Sequence, residues 1–163
     1  MKKAVLKVRT LGDPCLRRPS VALESVGVSE RMLIRAMAET MYEEEGVGLA
    51  APQIGVNKQI IVVDDGKGLI AMINPDIVKA EGKAVMEEGC LSVPNGCVKV
   101  ERAETIRVRF LDDQGTPREL ECSGLLSRAV QHEMDHLQGK MIVDYANDDE
   151  KKKIKEHFPD VQF

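Results

Sequence analysis

The sequence predicts an α+β fold in which mostly antiparallel β-sheets pack around a central helix, with an N-terminal helix and a short C-terminal helix beside them. Helix-spaced apolar residues occur near both ends of the chain, whereas the stretch between them holds short β-branched runs separated by Gly, Pro, Asn and Asp. The chain has 163 residues, 43% hydrophobic and 31% charged, which is typical of an ordinary globular protein. We therefore expect a single domain over residues 1–163.

Three helices are predicted from apolar spacing and from end signals. The first begins at Ser29, a good N-cap, and stops at Gly46. The central helix covers residues 124–138 and is ended by Gly139, and a charged helix covers residues 148–157. Five strands are predicted between the first two helices: 59–63, 70–73, 77–80, 105–111 and 118–122. Gly115 marks a hairpin turn between the last two of these strands.

Charge and cysteine content narrow the class of protein. The formal net charge of -4 argues against a general grip on nucleic acid, so no DNA partner is expected. The start of the chain shows no sustained apolar run, which predicts a cytoplasmic protein with no membrane partner. In that compartment the four cysteines are expected to stay reduced: Cys15, Cys90, Cys97 and Cys122.

The central helix carries the motif that indicates chemistry. His132 and His136 lie one turn apart on the same helix face, so both imidazoles can reach one metal ion. Glu133 lies beside them, where it can accept a proton from a water that the metal activates. This spacing is typical of a metallohydrolase.

The other positions of this helix divide into three faces by the same geometry. Leu125 and Ala129 fall on the histidine face, as apolar walls of a pocket would. A second stripe is suited to the core: Leu126, Val130, Met134 and Leu137. The remaining arc is expected to face solvent: Ser127, Arg128, Gln131 and Gln138.

A catalytic metal site needs a third protein ligand, and the residues alone leave its identity open. A metzincin-type peptidase would place a histidine at position 142, where this chain has Ile142. A thermolysin-type peptidase would use Glu156, which stands among lysines. Cys90 is the third candidate. A non-enzymatic protein with a structural site would need a fourth ligand, which no segment plainly offers.

Three segments, in this order and spacing, resemble the signature motifs of the peptide deformylase family: GVGLAAPQ at 46–53, EGCLS at 88–92 and QHEMDHLQG at 131–139. The similarity runs from about residue 8 to residue 145. That family removes the formyl group from N-formylmethionine at the start of new bacterial or organellar proteins. The resemblance therefore implies an amide hydrolase whose partner is a formylated nascent polypeptide.

Carried over residue by residue, the resemblance implies the metal ligands Cys90, His132 and His136. It implies Glu133 as the general acid and base, and an oxyanion site made by Gln53 and the backbone N–H of Leu91. It also implies that the stretches around Gly48 and Gly89, with Gly46, pair with the substrate backbone. The methionine side chain would enter an apolar pocket formed by Val47, Met86, Leu125 and Ala129, with Glu88 at its rim.

The resemblance further implies one divalent metal ion per chain, Fe²⁺ in the cell, with Zn²⁺, Ni²⁺ or Co²⁺ able to occupy the site. Arg102 is expected to pair with Asp135 or Glu45 near the metal ligands. Two departures stand out. Cys97 occupies a position where many members carry a larger or basic residue that can touch bound peptide. Docking at the ribosome near the exit tunnel would rest on residues 151–155 of the C-terminal helix alone.

Overall fold

The computed structural model describes residues 5–163. Three α-helices lie within this range: α1 Val28–Glu43, α2 Gly124–Leu137 and α3 Asp148–His157. Its strands are β1 Gly48–Ala50, β2 Ile60–Val63, β3 Ile70–Glu81, β4 Ala84–Cys90, β5 Val93–Arg102, β6 Thr105–Leu111 and β7 Pro117–Ser123. In this part of the chain no helix combines the length and the apolar character needed to cross a membrane.

The strands form two antiparallel sheets, which confirms the predicted α+β class. The larger sheet has the order β1-β2-β3-β6-β7, and the smaller one is a ribbon of β4 and β5. β1 is an edge strand of the larger sheet, and β4 has one neighbour in the ribbon. Within residues 5–163, both strands therefore keep one backbone edge without a strand partner, and such an edge can accept an added strand.

Apolar side chains pack α2 against the larger sheet. Alternate residues of β2 pack on opposite sides of the larger sheet, Ile61 and Val63 with α2, and Ile60 and Val62 with α1. A third cluster joins β5 to the N-terminal and C-terminal parts of the chain: Leu11, Cys15, Leu16, Val93, Val98, Val100, Met141, Ile142, Val143 and Ile154. The central helix meets the β4–β5 ribbon through hydrogen bonds instead, as from Arg128 to Glu88 and Val100.

The predicted helices and turns are found close to their expected positions. α3 matches its predicted range, α2 ends one residue earlier than expected, at Leu137, and Gly115 has the positive φ of 78° expected of the β6–β7 turn. α1 begins one residue earlier than expected, at Val28, and Gly27 rather than Ser29 is its N-cap. The two runs 70–73 and 77–80 belong to one strand, β3, whose pairing with β6 shifts between Ile73 and Asp76.

Three strands were absent from the sequence-based expectation: β1, β4 and β5. β4 has no alternation of buried and exposed side chains, because Glu88 is its one buried residue. Strand prediction relies on that alternation. β1 has only three residues, which is too short for any periodic pattern.

The glycine after α2 gives a first testable prediction. Gly139 has φ of 75°, and a Cβ there would lie 2.5 Å from the carbonyl oxygen of Arg17. Gly139→Ala is expected to lower the free energy of unfolding by about 2–4 kcal/mol, because backbone strain and a backbone clash add together. The matched control is Gly124→Ala, at φ of 60° with no atom within 4 Å of its Cβ. Urea unfolding of both variants measures the difference, and equal losses would contradict the clash.

Candidate functional site

The end of β4 and one face of α2 bring three potential metal ligands together. The ligand atoms of Cys90, His132 and His136 all lie within 4.8 Å of one another. Cys90 Sγ is 3.4 Å from His136 Nε2. Sulfur and nitrogen atoms bound to one metal ion stand roughly 3.5 Å apart. The third member of this cluster is therefore Cys90, whereas Glu156 is exposed on α3.

The donor set fits a divalent metal. One thiolate and two imidazoles are ligands that zinc and several other transition metals accept. Three protein donors leave a coordination position for water or substrate, as catalytic sites do. Among residues 5–163, Glu133 Oε1 and His136 Nδ1 are buried without a hydrogen-bond partner. An unpaired carboxylate oxygen beside the donors is free to act on a ligand held there.

Glu88 anchors the ring of His132. Its Oε1 lies 2.8 Å from His132 Nδ1 and accepts a hydrogen bond of 2.9 Å from Arg102 Nη2. Its Oε2 accepts from Arg102 Nε and Arg128 Nη1 at 3.0 and 2.6 Å. Burial alone would raise the pKa of Glu88, but the hydrogen bonds from His132 and Arg102 outweigh burial and lower it to about 2. A fixed carboxylate at Nδ1 leaves Nε2 of His132 to face the metal.

Arg102 links this carboxylate to the far side of α2. Its Nη1 donates to Asp135 Oδ2 at 2.6 Å, and the hydroxyl of Tyr145 donates to the same oxygen at 2.6 Å. Of the two partners expected for Arg102, the structure thus has Asp135 and not Glu45. Glu88 itself is 6% exposed, so it lies at the floor of the cleft rather than at its rim.

The arc of α2 that was expected to face solvent is largely covered, so that expectation is wrong. Ser127 is fully buried and donates to the carbonyl of Ala103 at 3.0 Å. Arg128 is 8% exposed, and Gln131 donates to the same carbonyl at 2.9 Å. The β4–β5 ribbon, which the sequence did not reveal, covers Arg128, and the turn after β5 covers Ser127 and Gln131. Gln138 is exposed as expected.

A cleft of about 460 Å³ opens in front of the metal ligands. All residues predicted for the site line this cleft except for the buried His136. The lining residues that were predicted are Gly46, Val47, Gly48, Gln53, Met86, Glu88, Gly89, Cys90, Leu91, Leu125, Ala129, His132 and Glu133. Sequence reasoning missed six further lining residues: Glu45, Glu87, Val93, Asn95, Gly96 and Arg128.

The amide of Gln53 is held toward Cys90. Its Oε1 accepts from the backbone N–H of Ala50 at 2.9 Å, which fixes the plane of the side chain. Its Nε2 lies 3.6 Å from Cys90 Sγ and donates to Ser92 Oγ at 3.1 Å. Leu91 follows Cys90 in the turn between β4 and β5 and lines the same cleft.

Glu133 is packed against the backbone of β1. A Cβ at Gly48 would lie 2.6 Å from Glu133 Oε2, so only glycine leaves room for this carboxylate. Burial raises the pKa of Glu133 to about 7. A divalent cation at the three donors would lower that pKa, because positive charge favours the carboxylate.

Comparison with known proteins decides the family. The model of the polypeptide deformylase family matches residues 5–152. The chain belongs to the peptide deformylase family. Its reaction is the deformylase one, the removal of the formyl group from N-formylmethionyl peptides, and the family is metal-dependent.

Named relatives of this deformylase match it over most of their length. The peptide deformylase of Halothermothrix orenii is 50% identical over 142 residues, which cover 86% of this chain and 92% of that protein. A solved structure from Legionella pneumophila has a TM-score of 0.89 at 40% identity and covers 95% of this chain and 96% of its own. The deformylase of Synechococcus elongatus, in complex with actinonin, has a TM-score of 0.88 at 40% identity and covers 98% of this chain and 87% of its own.

Proposed function

We propose that this deformylase holds one divalent metal through Cys90, His132 and His136, with Glu133 as the general acid and base. The observation that carries this assignment is the convergence of three donor atoms within 4.8 Å beside a buried carboxylate oxygen without a partner. When bound, the metal would acidify a water and polarise the formyl carbonyl. The remaining steps belong to the side chains of this chain.

Glu133 carries the proton in both halves of the reaction. Its free Oε1 accepts a proton from the attacking water. The same carboxyl then delivers that proton to the departing amine, because an amine leaves poorly without protonation. One buried group can serve both steps because the water oxygen that adds and the amine nitrogen that leaves are both bonded to the formyl carbon before the C–N bond breaks.

Gln53 and the backbone N–H of Leu91 stabilise the negative charge that develops on the carbonyl oxygen. The Gln53 amide is already fixed by Ala50 and Ser92, so its N–H donor needs little reorganisation when the charge appears. Loss of one such donor typically costs roughly 10²–10³ in kcat.

The substrate binds as an added strand between two open edges. In the described part of the chain, β1 and β4 each have a backbone edge without a strand partner, and both contribute residues to the cleft. Gly46, Gly48 and Gly89 lie along these edges. The methionine side chain enters the apolar part of the cleft. One wall is formed by Val47, which precedes β1, and Met86 of β4, and the other by Leu125 and Ala129 of α2.

Iron(II) is the metal we assign in the cell, and zinc, nickel or cobalt can replace it, since a thiolate with two imidazoles suits each of them. Cys90 would then be the point of oxidative inactivation. Residues 1–163 form one catalytic domain that acts in the cytoplasm. Its substrates are nascent polypeptides that leave the ribosome. Docking near the exit tunnel would use the lysines of α3, which are Lys151, Lys152, Lys153 and Lys155.

Release of formate tests the proposal directly. The protein is purified anaerobically with iron, its metal content is measured, and formyl-Met-Ala-Ser is supplied. We expect formate and free Met-Ala-Ser, whereas an endopeptidase would cut the Met–Ala bond. Acetyl-Met-Ala-Ser is the control substrate, and actinonin is expected to block turnover because it occupies the Synechococcus elongatus relative. No formate from metal-loaded protein would refute the function.

Gly48→Ala is expected to lower kcat by about 10²-fold, because the new Cβ displaces Glu133 by a large part of an ångström. The metal content should stay at the wild-type level, since the three donors are untouched. The matched control is Gly27→Ala, whose Cβ would have its nearest neighbour at 4.0 Å, away from the cleft. Steady-state formate release compares the two, and wild-type kcat in Gly48→Ala would refute the close packing of Glu133.

A further inference from the structure

We propose that Arg128 is a positioning residue that holds β4 against α2 and thereby sets the width of the methionine pocket. The inference rests on the proposed function, because it concerns the pocket assigned to the methionine side chain. Arg128 lies on α2 between Leu125 and Ala129, which form one wall of that pocket. Met86 of β4 forms part of the opposite wall.

Before Cys90, β4 is held by polar contacts rather than by apolar packing. Glu88 is the one buried side chain of this strand, and Val85 and Met86 are 60% and 58% exposed. A two-stranded ribbon is marginally stable without further support. A pocket wall built on β4 therefore needs an anchor from outside the ribbon.

Arg128 supplies that anchor at three points around Met86. Its Nη2 donates to the carbonyl of Ala84 at 2.7 Å, and its Nη1 donates to Glu88 Oε2 at 2.6 Å, so the strand is held on both sides of Met86. Nη1 also donates to the carbonyl of Val100 at 2.9 Å. Val100 is the residue paired with Met86 across the ribbon. A planar guanidinium can reach three such acceptors, which a single ammonium cannot match.

The metal site has a separate support. Arg102 binds both oxygens of Glu88, and Glu88 Oε1 lies 2.8 Å from His132 Nδ1, and neither contact involves Arg128. Loss of Arg128 should therefore spare the metal and the chemical step while it loosens the pocket. This separation distinguishes a role in substrate selection from a general structural role.

The test compares two substrates in two variants, Arg128→Met and Arg128→Lys. In Arg128→Met the ratio of kcat/KM for formyl-Met-Ala-Ser over formyl-Phe-Ala-Ser should fall by about tenfold, the size of discrimination that an apolar pocket provides. The change should lie in KM, with kcat for the methionine substrate kept within about threefold and metal content unchanged. Arg128→Lys should show a smaller fall, since the ammonium keeps the Glu88 contact alone.

Arg107→Met is the control, because Arg107 forms an exposed ion pair of 3.0 Å with Glu121 on the larger sheet, outside the cleft. A wild-type ratio in folded Arg128→Met would overturn the inference, and so would an equal fall of kcat with both substrates. If thermal unfolding shows that Arg128→Met does not fold, the ratio in Arg128→Lys decides. Failure of the proposed function would show separately, as wild-type protein that releases no formate.

Discussion

Glu133→Gln is expected to lower kcat for formyl-Met-Ala-Ser by about 10⁴-fold, the upper range for loss of a general acid and base, because one carboxyl serves two proton transfers. The glutamine keeps the shape of the side chain in the tight space beside Gly48, but it cannot accept the proton of the attacking water. The three donors are untouched, so one metal per chain should remain. Single-turnover formate release and metal analysis measure both effects.

Glu156→Gln is the matched control for this variant. Glu156 is exposed on α3 and lies outside the donor cluster, so its amide variant should keep wild-type kcat and metal content. Substantial residual turnover in metal-loaded Glu133→Gln would remove Glu133 from the role of base. Loss of metal in the same variant would instead show that its carboxylate helps to hold the ion.

Cys90→Ala is expected to abolish retention of the metal, and turnover with it. Two imidazoles remain after this change, and a divalent ion held by two donors exchanges far more readily than one held by three. The thiolate also carries the one formal negative charge of the donor set. Metal content after gel filtration and formate release from the same sample measure the effect.

Two controls separate ligand loss from a general effect of cysteine removal. Cys97→Ala removes a thiol that is exposed on β5 and lies outside the donor cluster, so it should retain its metal. Glu156→Ala should also retain it. The opposite pattern, with metal lost from Glu156→Ala and kept by Cys90→Ala, would support a thermolysin-type endopeptidase.

The features that a local pattern encodes were predictable from the sequence. His132 and His136 are one helical turn apart, so their common direction follows from helix geometry alone. The helices around them have clear apolar spacing and end signals, as in α2 and its Gly139 stop. The third ligand required the motif around Cys90, because residues distant in sequence meet only through the fold.

The features that were missed depend on contacts between distant segments. Arg128 reads as a solvated helix residue until the β4–β5 ribbon is placed over it, and the ribbon itself has little alternation in β4. From the sequence alone, Gly48 could be explained by a turn of the chain or by the close approach of the substrate backbone. Its neighbour is in fact Glu133, 85 positions further along the chain. No local window contains that pair.

The placement of Cys90 has a thermodynamic consequence. Cys90 packs with the cluster that joins β5 to the N-terminal and C-terminal parts, whereas α2, which bears both histidines, contributes Ala129, Val130 and Leu137 to the cluster under the larger sheet. A metal bound by all three donors is therefore a crosslink between two apolar cores. By linkage, free metal at a hundred times its dissociation constant would raise the free energy of unfolding by about 2.7 kcal/mol. Chelation should then lower the melting temperature and loosen the ribbon before the larger sheet unfolds.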